Sequence, residues 1–179
     1  MRILVIAAVD FELDAARKVW KGGAVSFKRS GVGADATRKA LEDVLAGGGF
    51  DRVLDIGIAG SYRPDLPPGA VVHVTAERHA DGSGVWLCNP APWPELDFLP
   101  AAKGNTLQLL DDRYRTFPAD VETMEGAAFF EVCLSCGIPF AEIRSVSNAV
   151  GERDHARWDI PAALAALESA LKTLKTKLP

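Results

Sequence analysis

Cysteine is scarce in this chain. Its 179 residues hold only Cys88, Cys133 and Cys136, too few and odd in number for a disulfide framework, which fits a reducing compartment and points to the cytoplasm. Cys133 and Cys136 have C-x-x-C spacing, but no second pair and no histidine stands at zinc spacing from them. They also fall at the end of a predicted helix, where a thiolate gains nothing from the helix dipole. They read as buried small apolar residues, and no metal or organic cofactor is expected. Long apolar runs are missing as well: nothing approaches the roughly 20 residues needed to cross a bilayer. The first apolar stretch, Ile3 to Val9, is short, has no cleavage-site pattern and reads as a strand. An excess of one charge is also absent, since 20 basic and 24 acidic residues leave a net charge of -4. That balance argues against nucleic acid as a partner. No repeat or low-complexity tract is present.

What remains is the composition of an ordinary globular enzyme, 48% hydrophobic and 25% charged, long enough to bury a core as one domain over residues 1–179. Ile3 to Val9 lacks alternation, the pattern of a strand covered on both faces of a parallel sheet. Arg52 to Ile58, Ala70 to Glu77 and Phe140 to Val146 are further strand candidates. After Gly33, the residues Ala36, Ala40, Leu41, Val44 and Leu45 recur at helical spacing until Gly47. A second helix is predicted over Met124 to Cys136, stopped by Gly137 and Pro139. The last carries a stripe of Ile160, Leu164, Leu167, Leu171, Leu174 and Leu178, with Asp159 as N-cap and Pro161 in the first turn. Strands alternating with helices predict an α/β fold, a single-domain three-layer sandwich whose central mixed, largely parallel sheet is flanked by helices. The stretch from Asp81 to Lys103, rich in Pro, Gly and Trp, reads as an ordered excursion whose tryptophans and leucines must pack somewhere.

Four segments carry residues that packing alone does not require: Val9-Asp10-Phe11-Glu12, Asp55 to Gly60, Val121 to Gly126, and Arg144 to Asn148. Each lies at a strand end or a helix start, so a parallel sheet can gather them along one rim. Taken singly they have plain readings. Glu12 and Glu125 serve as first-turn acids favoured by the helix dipole, Gly57 and Gly60 as left-handed turn glycines, and Asn148 as an amide bonded to local backbone.

Taken in order, these segments resemble the nucleoside phosphorylase/nucleosidase superfamily. The branch is that of methylthioadenosine/S-adenosylhomocysteine nucleosidases and, most closely, the futalosine hydrolases of menaquinone biosynthesis. The resemblance runs through Ser30-Gly31-Val32-Gly33, the Gly57-Ile58-Ala59-Gly60 turn, the Met124-Glu125-Gly126 helix start and Ser147-Asn148, continuing to Asp154. It implies hydrolysis of a purine nucleoside, futalosine above all, at its N-glycosidic bond. Within it Glu12 is implied to activate water, Glu125 to hold the ribose hydroxyls, Met124 to pack on the sugar, and Ala59 and Gly60 to admit the flat base. Asn148 stands where adenine-releasing relatives have aspartate. An amide offers both a donor and an acceptor, which suits a 6-oxopurine such as hypoxanthine. The phosphorylases' Gly-Asp-Pro-x-Arg loop is replaced by Val9 to Leu13 and their relatives' serine by Ile58, which implies water rather than phosphate as nucleophile. The superfamily also implies a homodimer or larger homo-oligomer.

The purine-stacking wall should lie within residues 81–120, with Thr106 and Leu107 as guesses, and His155 and Trp158 are placed to cap the pocket. Three rival readings stay open: an adenine-releasing or other purine nucleosidase, a noncatalytic nucleoside-binding protein, and a dinucleotide-binding protein. The last is suggested by Gly31-Val32-Gly33-Ala34-Asp35-Ala36 followed by Asp55. Against it, Ser26 to Ser30 is too polar for the central buried strand such a motif follows.

Overall fold

The opening apolar run forms strand β1 (Ile3–Ala7) in the computed structural model, which describes residues 1–80, 85–108, 119–152 and 154–179. Its lack of alternation has the expected cause. Ile3, Val5 and Ala7 join the core on one face of the sheet, while Leu4 and Ile6 join that on the other. Helices α1 (Asp10–Val19) and α4 (Ile160–Lys177) cover the first face with Leu13, Ala16, Leu167, Leu171 and Leu174. Helices α2 (Ala34–Ala46) and α3 (Gly126–Cys136) cover the second with Leu41, Phe129, Phe130 and Cys133. Asp159 caps α4 as expected, accepting from Ala162 N at 3.0 Å, and Gly137 ends α3 in the left-handed conformation at φ 61°.

The remaining strands are β2 (Val25–Arg29), β3 (Arg52–Ser61), β4 (Val71–His79), β5 (Leu87–Cys88), β6 (Ala101–Thr106), β7 (Val121–Thr123) and β8 (Phe140–Ala149). The sheet is mixed and largely parallel: β1 runs parallel to β2 and β3, β3 to β8, β4 to β6 and β6 to β7. It departs from an open sandwich on the far side. There β8 pairs antiparallel with β4, and β7 pairs antiparallel with the end of β3, so that β3, β8, β4, β6 and β7 close into a ring. Closure leaves these strands no free edge. It is possible because β3 is long enough to pair with β1 near its start and with β7 at Gly60 and Ser61.

Several expectations change. The Gly57-Ile58-Ala59-Gly60 segment is not a turn but part of β3, with a register shift between Ala59 and Gly60 against β8. Neither of its glycines has positive φ. Ser26 to Arg29, too polar for a central strand, lies in a strand that is half-buried at the sheet edge, as that reading requires. In the excursion, Trp93 and Leu96 are buried in the α1–α4 core, and β6 emerges where no strand was expected. Only Cys133 of the cysteines is buried; Cys88 and Cys136 are exposed. Residues 81–84 and 109–118 and Arg153 lie outside the described residues, and with them part of the region assigned to the purine wall.

Candidate active site

Because β1, β3 and β8 are mutually parallel, their carboxyl ends share one rim, the place where α/β sheets bind ligands. A cleft of about 160 Å³ lies there. It is lined by Ala8, Val9, Phe11 and Glu12 after β1, Ile58 to Gly60 of β3, Glu122 to Glu125, Ser147 and Asn148 of β8, and Trp158. The six residues implied for catalysis and substrate binding, Glu12, Ala59, Gly60, Met124, Glu125 and Asn148, therefore meet in one cavity.

Glu12 sits in the first turn of α1, and its carboxylate folds back rather than facing solvent. Oε2 accepts from Val9 N at 3.2 Å and Oε1 from Ile58 N at 2.9 Å. The first bond resembles half of a capping box; the second ties the helix start to β3. Glu12 is only 5% exposed. Burial raises its pKa above the ordinary carboxylate value, a shift held back by those amides and by the charge of Arg144 and pushed further by Glu125. Gly57 makes room for this carboxylate. A Cβ there would stand 2.5 Å from Arg144 Nη1 and 2.9 Å from Glu12 Oε1.

Glu125 is the residue before α3, and its Oε1 accepts from Gly33 N at 2.8 Å. Gly33 has φ 96° and Gly31 φ 86°, conformations that favour glycine. The Gly31-x-Gly33 motif thus aims an amide at a carboxylate, and a carboxylate already fills the position where a dinucleotide phosphate would need it. Asn148 bonds locally: Nδ2 donates to Ala149 O at 3.0 Å, and Oδ1 accepts from Ser147 Oγ at 2.7 Å. One N–H and further lone pairs of the amide are left for a ligand.

Behind Glu12 lies a buried charge cluster that sequence reading missed, although Asp55 and Arg144 belong to the segments singled out. Arg144 of β8 donates to Asp55 of β3, and its Nε lies 2.8 Å from Glu142 Oε1, off-line for a hydrogen bond. Burial opposes the Arg144 charge, but the surrounding carboxylates more than offset it and hold the guanidinium protonated. Glu77 of β4 accepts from Thr106 Oγ1 at 2.8 Å and Thr123 Oγ1 at 3.1 Å. Burial pushes Asp55 and Glu77 each up to about 7, and Glu142 well above its ordinary value. A charge cluster was not legible because β-strand alternation places Asp55, Glu77, Glu142 and Arg144 together only once strand register is known.

Two other guesses separate. Thr106 and Leu107 are fully buried beside this network and do not line the cleft. Trp158 does line it, whereas His155 is exposed and stacks on Trp158 with ring centroids 4.3 Å apart. Among the described residues no group of His, Cys, Asp and Glu is arranged to hold a metal ion, and no helix is long and apolar enough to cross a membrane.

Two carboxylates, one buried beside a guanidinium and one tied to a loop amide, thus share a cleft with a strand-end amide and an aromatic wall. A family model described as Phosphorylase superfamily matches residues 12–102 and 106–177, a span that takes in Glu12, Glu125 and Asn148. The chain is 29% identical to a futalosine hydrolase of Streptomyces coelicolor over 225 aligned positions, covering 97% of this chain and 95% of that protein. A futalosine hydrolase of Thermus thermophilus is 29% identical over 185 positions, covering 86% and 82%. A solved structure of a futalosine hydrolase mutant of Helicobacter pylori strain 26695 has the same fold, with TM-score 0.86 at 17% identity over 99% of this chain and 100% of that one. With its motifs in sequence order, its acids gathered in one cleft and a family match over almost its whole length, the chain belongs to the phosphorylase superfamily.

Proposed function

We propose that this chain hydrolyses the N-glycosidic bond of futalosine, releasing hypoxanthine and dehypoxanthine futalosine, as a step of menaquinone biosynthesis in the cytoplasm. The observation that carries the reading is the meeting of Glu12, Glu125 and Asn148 in one cleft; the names of the curated relatives supply the substrate. The whole chain acts as one nucleosidase domain, and we read it as a homo-oligomer like others of its superfamily.

Departure of the base leaves an oxocarbenium-like sugar that water must trap. Glu12 accepts a proton from that water as the oxygen bonds to C1′ and the C1′–N9 bond breaks. Its raised pKa makes it a better base than an exposed glutamate, and the amides of Val9 and Ile58 aim it. Glu125 accepts from the ribose hydroxyls, and its negative charge favours the developing cation. Met124 packs on the sugar, with Ala59 and Gly60 beneath the base. At the base, N7 takes a proton from solvent as the C1′–N9 bond breaks; the Asn148 carbonyl accepts from the resulting N7–H while its NH2 donates to O6. Ile58 and the absence of a phosphate loop favour water over phosphate.

The test is incubation with futalosine, inosine and methylthioadenosine, with and without phosphate, scoring the free base. Hypoxanthine from futalosine at a rate indifferent to phosphate is the expected result. Adenine from methylthioadenosine as the faster product would replace this reading with that of an adenine-releasing nucleosidase.

A further inference from the structure

Glu77 of β4 is fully buried, and the hydrolysis above gives it no task. Its register partner on β6 is Gly104, and Thr106, two residues further on, pairs with Thr123 of β7. Residues two apart on a strand, and residues directly opposite on neighbouring strands, share a face. Because Gly104 has no side chain, the Glu77 side chain crosses β6 over it and reaches both threonines. A Cβ on Gly104 would overlap the Glu77 carboxyl, and so would one on Gly126, the first residue of α3. Two glycines from different elements are thus kept clear around one acid.

What that acid holds is the start of α3. Thr123 Oγ1 donates to its Oε1 at 3.1 Å, and Thr106 Oγ1 donates to its Oε2 at 2.8 Å. Thr106 Oγ1 in turn accepts from Ala127 N at 2.6 Å, so one of the first amides of the helix, which have no partner within it, is capped from a strand. Glu125 stands at the N-cap position, yet its side chain makes no capping bond. An N-cap side chain ordinarily accepts from the second or third amide of its helix. Here Thr106 takes the second amide, and the Glu125 carboxylate turns to Gly33 N and the cleft instead. Met124 and Glu125 are therefore pinned from both sides, at Thr123 before them and at Ala127 after them, and both pins end on Glu77.

Resting on the proposed nucleosidase reading, we infer that Glu77 is a positioning residue for the ribose acid, fixing the start of α3 through Thr106 and Thr123 so that Glu125 stays free to face the cleft. Glu77 does not line the cleft and acts only through these contacts. Without its two acceptors, the threonine hydroxyls, 3.1 Å apart, turn to each other and the hold on Ala127 N loosens. The Glu125 side chain then competes for that amide and is drawn away from the ribose.

The test is calorimetry on the full chain with three probes: formycin B, a C-nucleoside analogue of inosine whose base–sugar bond water does not cleave, its 2′-deoxy form, and free hypoxanthine. Glu77→Met keeps an unbranched side chain of similar length and removes both acceptors, with Tm as a check on folding. In this variant the preference for formycin B over its 2′-deoxy form should fall about ten- to a hundredfold, the loss associated with a hydrogen bond to a charged group. Hypoxanthine should bind within about threefold of its affinity for the unmodified chain. A preference unchanged in folded Glu77→Met, or lost together with hypoxanthine binding, overturns the inference and leaves Glu77 a general brace of the core. So does the lack of any such preference in the unmodified chain. Should Glu77→Met not fold, Thr106→Val decides by the same ratio, since Thr106 does not line the cleft either; failure of both to fold also overturns the inference. If the unmodified chain shows the preference and the variant loses it, but futalosine releases no base, the proposed hydrolysis fails and the role of Glu77 stands. If hypoxanthine is released while the variant keeps the preference, the hydrolysis stands and the role of Glu77 fails.

Discussion

At the scale of single residues, the proposed function rests on where Glu12 keeps its proton. Burial raises its pKa, and the reaction needs the carboxylate, so kcat/KM should fall on the acid side through a pKa above the ordinary 4.5. Glu12→Gln should lower kcat by about a hundred- to ten-thousandfold with little change in KM. A variant retaining near-full kcat would remove Glu12 from the chemistry. For Asn148, replacement by aspartate removes the donor to O6, and the kcat/KM ratio of futalosine to its 6-amino analogue should drop about tenfold or more. An unmoved ratio would assign the amide to its local bonds with Ser147 and Ala149. Glu12, Glu125 and Asn148 could be read in the sequence because they sit in ordered motifs at strand ends and helix starts. The Arg144 cluster could not: it forms because Asp55 of β3 and Glu142 of β8 are register partners, and nothing in local sequence states which strand will be a neighbour.

At the scale of elements, β3 and β8 bring the buried charges together, and Gly57 between them is a site of close approach rather than of unusual backbone conformation. Gly57→Ala forces a methyl against Arg144 and Glu12. It should cost about 1–3 kcal/mol in denaturant unfolding, as overpacking does, and should reduce kcat by displacing the Glu12 carboxylate. Wild-type stability together with wild-type kcat would contradict that packing. The buried acids also set a pH dependence. Asp55 and Glu77 have folded-state pKa values pushed up to about 7, so between roughly pH 4 and 7 the folded chain binds protons that the unfolded chain has released. Their contribution to stability is therefore present at the acid end of that window and lost as pH rises through it. Tm should be higher at about pH 6 than at about pH 8, and Asp55→Asn should flatten the difference; a Tm that climbs over this interval would contradict the assignment. The long elements were legible because their patterns are strong: the unalternating β1, and the Leu167, Leu171 and Leu174 stripe of α4. The missed ones were β2, half-buried with charged residues, β6, whose six residues are almost without β-branched or aromatic side chains, and β5 and β7, at two and three residues too short to show a period. The continuation of β3 through Gly57 and Gly60 was hidden by reading glycine as a turn signal when it marked a strand surface kept clear.

At the scale of the whole molecule, helices bury both faces of the sheet around β1 while the far strands close on one another, so the rim that carries the cleft is built on a scaffold without free edges there. An open three-layer sandwich was the expectation because alternating strands and helices do not encode closure; that depends on β7 and β8 pairing antiparallel with distant partners. The scaffold's consequence is one cleft that gathers Glu12, Glu125 and Asn148, to which the proposed function assigns water, ribose and base. The most direct measurement is turnover of futalosine in phosphate-free buffer made with 18O-labelled water, following the base by chromatography and the sugar product by mass spectrometry. The account predicts hypoxanthine in equal amount to dehypoxanthine futalosine, with one labelled oxygen at C1′ and no change of rate on adding phosphate. A phosphorylated sugar product, or no release of base at all, would contradict it.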